Sequence, residues 1–436
     1  MVLLKSFWNI FLIAELRKKI AFTVGVISIV RLGTYIPVIG VDVVKLAEIM
    51  NQKSGIGGIL SYFDIFSGGA LTSCTLFALG INPYITASIV MQMLGMTIPS
   101  LEQLLKEGEY GRKIINDYTR YLALGLSIVY SITYATYLES QGLVLSPGWA
   151  FRILFVLSLT AGSMLVMWLG DQISLFGIGN GSSIIIFVGI VSNYPRIALS
   201  LIHGVQEGDL HFLMALVVVA VFLFIVASIV FLEKGERKIP VHYARRVVGN
   251  KVFGGQTSYI PFKINSVGVM PVIFASVLLR FPQFIAGLLS GVFPVLNTFV
   301  DAFHSGPLFY VAEFLLIILF TYVYMSMLMN PVELAENLRK NGGFIPGVRP
   351  GKQTMEYFDY LLNRISLLGA IYLGFLAIFP ALLQFIFGIP YLESGTSMLI
   401  AVGVALEIGN QLESYLIERR YDGFLTGGRM RRGGQR

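Results

Sequence analysis

The sequence predicts an all-α polytopic membrane protein with about ten transmembrane helices, and three observations predict it. Of 436 residues, 55% are apolar and only 13% charged, against roughly 25% charged in soluble domains. Ten windows of about 20 apolar residues, each long enough to cross the hydrocarbon core, recur along the chain. The basic residues then sort by parity: 26 of the 32 Lys and Arg fall in alternate connections and at the two ends. That bias assigns those segments, with both termini, to the cytoplasmic side.

Residues 1–19 read as an amphipathic cytosolic helix, with Phe7, Phe11 and Leu12 set among Lys5, Arg17, Lys18 and Lys19. The apolar windows lie near 20–37, 73–96, 118–138, 151–170, 181–201, 211–232, 266–286, 308–329, 365–387 and 396–415. Residues 20–201 form an N-terminal half of five spans and 202–415 a C-terminal half of five. Residues 416–436 are a basic cytosolic tail. An odd number of spans per half inverts the second half relative to the first, as in inverted-repeat membrane proteins. The outer loop 41–72 holds an apolar, Gly-rich stretch too short to span. It fits either a re-entrant segment or an interfacial loop. The cytosolic loops 233–263 and 330–364 are long and basic, and Asn341-Gly342-Gly343 with Pro346 and Pro350 gives the second a defined shape.

Chemistry is sparse. The four histidines lack metal-ligand spacing, and Cys74 is the sole cysteine, so no intrachain disulfide forms. Gly351-Lys352-Gln353 lacks the hydroxyl that ends a phosphate loop. No metal, cofactor or catalytic residue is expected. Polar residues inside spans are functional candidates by default: Arg31, which can snorkel from the outer end of span 1, Asn82, Gln92, Asn265 and Glu407. A secondary transporter needs a midplane ion or substrate site, which these residues do not compose. An assembly scaffold without a pore is the remaining alternative.

FDIFSGGALTSCTLFALGINPYITASIVMQML (63–94), GIGNGSSIIIF (177–187), GVMPVIFAS (268–276), NGGFIPGVRPGKQT (341–354) and ERRYDGFL (418–425) resemble the SecY family of bacterial protein-conducting channels, in order over essentially the whole chain. The resemblance implies two pseudo-symmetric inverted five-helix halves arranged as a clamshell around a central pore. Unfolded secretory polypeptides cross through it, and apolar segments leave laterally into the bacterial inner membrane. It makes 59–72 a plug, with Phe63, Asp64, Phe66 and Leu71 in it. It implies a pore ring of Ile81, Ile85, Ser182, Ile186, Ile273 and Ala405. Ser182 and Ala405 are small where the family has branched residues, which shifts sealing toward the plug. Ile39 stands where the family often has a second proline. Gln92 and Asn265 become polar members of the lateral gate, and Arg245, Arg246, Lys251, Arg349 and Lys352 the docking residues. The implied partners are the SecE and SecG subunits, the SecA motor ATPase, the ribosome, signal peptides with their nascent chains, and anionic lipids. The chain is then a passive channel rather than an enzyme, driven by its motor or the ribosome.

Overall fold

The structure, a computed structural model, describes residues 13–43, 45–46, 64, 67–208, 210–243, 246–248, 251–253, 257–289, 307–388 and 394–432. The elements are helices α1 (Ala14–Gly33), α2 (Asn82–Thr97), α3 (Pro99–Lys106), α4 (Glu109–Ser140), α5 (Trp149–Phe176), α6 (Gly181–Val191), α7 (Tyr194–Gln206) and α8 (Phe212–Lys234). Strands β1 (Glu236–Tyr243), β2 (Arg246–Val248), β3 (Lys251–Phe253) and β4 (Thr257–Lys263) follow. Then come α9 (Met270–Leu289), α10 (Pro307–Leu328), α11 (Pro331–Lys340), β5 (Gly343–Phe344), α12 (Lys352–Phe387) and α13 (Gly395–Arg432).

Among the described residues, six helical segments are long and apolar enough to cross a membrane, and the bent α2–α3 pair makes a seventh. Large apolar side chains stay uncovered along them: on α8, Phe231 is 74% exposed and Leu223 60%. Left in water, such surface costs about 25 cal/mol per Å², so lipid is its solvent. The expected spans 1, 7 and 10 are also helices. Spans 1 and 10 are less uniformly apolar: α1 carries Arg17, Lys18, Lys19 and Arg31, and α13 carries Glu407, Asn410 and Gln411.

The helix bounds correct the expected segmentation in four places. Residues 73–81 are turns rather than the start of span 2, and α2 begins at Asn82 with Pro83 in its first turn. The backbone there is committed elsewhere: Val38 donates to the Cys74 carbonyl at 2.9 Å and Leu76 to the Ile36 carbonyl at 2.9 Å. Span 5 breaks at 192–193 and resumes as α7. Helix α1 runs unbroken through 19–20, so the expected boundary between an N-terminal helix and span 1 falls inside one helix; residues 1–12 lie outside the described ones. The basic tail continues α13 to Arg432.

The chain divides into two compact units. One is Met1–Leu199 with Pro282–His304 and Val404–Arg436; the other is Ser200–Phe281 with Ser305–Gly403. In the first, Leu16 and Ile178 form a core patch covered by Ile13, Ile20, Ile408, Leu412 and Leu416. The backbone N–H of Ile178 donates to Thr23 Oγ1 at 3.2 Å.

In the second unit, the basic loop 233–263 is not a plain loop. Strand β1 pairs antiparallel with β4, with Glu236 opposite Lys263 and His242 opposite Thr257, and β5 joins its other edge at Tyr243 and Gly343. Strands β2 and β3 form a separate pair. Ile239, Val241 and Phe262 are buried beneath the sheet, and Phe262 meets Phe358 of α12 at 5.7 Å between ring centroids. This ties the basic hairpin to a membrane helix.

Candidate functional site

The described part of the expected plug is a tight polar turn over 67–72. Gly68 and Gly69 adopt positive φ of 69° and 91°, a region open to glycine at little cost. Asp64 organises the turn. Its Oδ1 accepts from the backbone N–H groups of Leu71 at 2.8 Å and Thr72 at 3.1 Å, and from Ser67 Oγ at 3.2 Å; its Oδ2 accepts from Thr72 Oγ1 at 2.9 Å. Burial pushes the Asp64 carboxyl above the ordinary carboxylate range, and those hydrogen bonds only partly offset it. The buried Tyr134 of α4 donates its hydroxyl to the Leu71 carbonyl at 2.8 Å. Asp64 and Leu71 are thus joined in one network, while Phe63 and Phe66 lie outside the described residues.

The expected ring residues differ in exposure. Ile81, just ahead of α2, is 2% exposed, Ile186 on α6 is 4% and Ile273 on α9 is 6%, while Ile85 and Ser182 are half-buried and Ala405 is exposed. Ser182 does not present a free hydroxyl. Asn180 caps α6, and its Oδ1 accepts from both the Ser182 backbone N–H at 3.1 Å and Ser182 Oγ at 2.7 Å. This is the side-chain N-cap that satisfies a helix's first donors.

The two expected gate residues sit in different settings. Gln92 Nε2 donates to Ser88 Oγ one turn back, at 3.1 Å. Asn265 is buried ahead of α9 and donates Nδ2 to Glu233 Oε1 of α8 at 2.6 Å. Its Oδ1 is buried with no hydrogen-bond partner among the described residues.

Of the expected docking residues, Arg349 is exposed on the 341–351 loop and Lys352 is exposed at the first position of α12. Asn330 caps α11 by accepting from the Val332 N–H at 3.1 Å, and Thr354 Oγ1 of α12 donates to the Arg349 carbonyl at 2.9 Å. The loop is therefore a shaped projection, and Lys352 lies 4.0 Å from Glu356. Arg245 lies outside the described residues. Arg246 and Lys251 lie in β2 and β3, and their side chains are not described.

Two polar side chains in the spans differ from or escape the sequence reading. Arg31 does not snorkel: it donates to backbone carbonyls of the 67–72 turn and of α6. Glu313 is buried on α10, and a lone acid in an apolar span was the available signal.

The sequence profile of the SecY family matches residues 75–409. This chain belongs to the SecY family. The protein translocase subunit SecY of Aquifex aeolicus is 42% identical over 424 residues, covering 95% of this chain and 98% of that relative. The SecY subunit of Escherichia coli K12 is 41% identical, covering 95% and 94%. A solved protein-conducting channel shares the fold with a TM-score of 0.65 at 18% identity, covering 91% of this chain and 92% of that one. Sec61 in the canine ribosome–channel complex has a TM-score of 0.63 at 17% identity, covering 91% and 92%. The SecY fold accounts for the multiple apolar helices.

Proposed function

We propose that this chain is the central subunit of a protein-conducting channel of the bacterial cytoplasmic membrane, with both termini cytoplasmic. It passes unfolded secretory polypeptides and releases apolar segments sideways into lipid. The observation that carries this reading is the SecY relationship over 95% of the chain. Residues 20–201 and 202–415 act as its two halves.

Ile81, Ile85, Ser182, Ile186, Ile273 and Ala405 line the waist. An apolar constriction holds back ions by dewetting. It also offers few hydrogen-bonding partners, so a moving polypeptide meets no deep energy well. Segments leave past Gln92 and Asn265 according to hydrophobicity, at roughly −0.3 to −0.6 kcal/mol per central Leu, Ile, Phe or Val and +2.5 to +3.5 for a charge. A cysteine placed at Ile85 or Ile273, with Cys74 replaced by Ser, crosslinks to a stalled secretory chain on this reading. Crosslinks to lipid alone contradict it.

The chain supplies the conduit, and a partner supplies the work. The shaped basic projection at Arg349 and Lys352, with Arg245, Arg246 and Lys251, docks SecA or the ribosome. SecE and SecG complete the complex, and anionic lipids meet the basic face. Arg349→Glu is expected to lower motor-driven export at least tenfold while the protein stays folded in the membrane; unchanged export in reconstituted vesicles refutes the docking role.

A further inference from the structure

We propose that Arg31 is a positioning residue that couples the plug turn to the pore-lining helix α6; the inference rests on the channel reading above. Arg31 occupies the last turn of α1. Its Nη1 donates to the Gly68 carbonyl at 3.3 Å, and its Nη2 to the carbonyls of Val188 and, at 3.5 Å, Gly189. One guanidinium thus joins three elements: α1, the 67–72 turn, and the last turn of α6. No ion pair to a carboxylate involves Arg31 among the described residues.

The chemistry fits a joint rather than a surface charge. Carbonyls of a helix's last turn carry the negative end of its dipole, so they suit a cation. Each carbonyl also has a second lone pair; Val188 O and Gly189 O already accept from Ser192 N at 3.1 Å and Ser192 Oγ at 2.7 Å. A planar fork can serve acceptors on two elements at once, which an ammonium does poorly. Glycine at 68 is what permits the approach: a Cβ there would sit 2.7 Å from Nη2 and 2.9 Å from Cζ of Arg31. A second guanidinium borders the same turn, with an Arg196 nitrogen 3.4 Å from where a Gly69 Cβ would lie. The Arg31 side chain also borders a water-sized cavity of about 20 Å³, whose wall is mostly apolar, with Val30, Phe77, Val166 and Ile185 beside Ser67.

The coupling follows from the shared partner. Helix α6 carries Ser182 and Ile186, which line the waist on the channel reading. A chain that widens the waist displaces α6, and Arg31 then cannot keep its bonds to both α6 and Gly68. The turn is released when the waist opens and held when it is closed.

The test uses the assembled translocase in planar bilayers, with no translocating chain, and measures resting ion conductance. A second readout is export of a substrate with a defective signal sequence, which a purely structural role would not improve. Arg31→Met is expected to raise resting conductance on the order of tenfold, the equilibrium weight of about one hydrogen bond to a charged group, and to admit the defective substrate. Arg31→Lys, which keeps the charge, is expected to recover part of the closure. Gly68→Ala, which pushes the guanidinium away, is expected to leak. If deletion of 60–70 leaks while Arg31→Met and Gly68→Ala stay as tight as the parent, the coupling is wrong and the channel reading stands. If the deletion itself does not leak, the plug reading fails and this inference with it. Should Arg31→Met not accumulate in the membrane, Gly68→Ala and Arg31→Lys decide between the same outcomes.

Discussion

Helices α2 and α9 are entered in similar ways, yet their approaches are wired oppositely. Each follows an irregular stretch with a positive-φ glycine, Gly80 at 54° and Gly268 at 70°. Ahead of α2, polar atoms close on one another. Asp64 takes four donors, Tyr134 donates to the Leu71 carbonyl, and the extended stretch 36–38 pairs with 74–76. Ahead of α9, Asn265 reaches Glu233 with one end, and at the other its buried acceptor meets no donor among the described residues. A satisfied buried network fixes one geometry, whereas an unmet acceptor carries a standing desolvation cost. The first approach is built to hold a position, and the second retains a reason to rearrange.

The contrast breaks most readily at Asp64. Asp64→Ala strands the Leu71 and Thr72 N–H groups in a buried turn, at about 3 kcal/mol or more. Amide exchange over 67–75, measured by mass spectrometry, is expected to quicken by at least two orders of magnitude. Exchange at the parent rate means that the carboxylate does not hold the turn. The smallest expected effect is at Asn265. Asn265→Leu removes the unmet acceptor but leaves Glu233 without that donor, so the two changes offset to within about 1 kcal/mol. The melting temperature in detergent should stay close to the parent's, and a large fall would show that Asn265 is as fully committed as Asp64.

Much of this fold is legible because lipid demands long apolar runs. Helices α4, α5, α8, α10 and α12 fall on the windows read from hydropathy. Hydropathy is blind to what the backbone does inside an apolar stretch. Residues 73–81 are apolar enough for a helix, but their hydrogen bonds go to turns and to 36–38. The hairpin in 233–263 was missed because its period-two signal is short and charged. Only Ile239 and Val241 of β1 are buried, and Pro240 argues against a strand. Arg31 was placed by depth in its span, whereas its partners are carbonyls about 40 and 160 residues away, which no local pattern encodes. Asp64 stood inside an apolar motif, and its identity alone did not reveal four donors.

Helix α12 is continuous for 36 residues, about 54 Å at 1.5 Å per residue, while the hydrocarbon core is about 30 Å thick. Its N-terminal end is clipped to the basic projection through Thr354 and the Arg349 carbonyl. A strut of that length can carry a displacement from one end to the other without asking the residues along the way to change partners. Pro380, near its C-terminal end, is where such a strut would first yield.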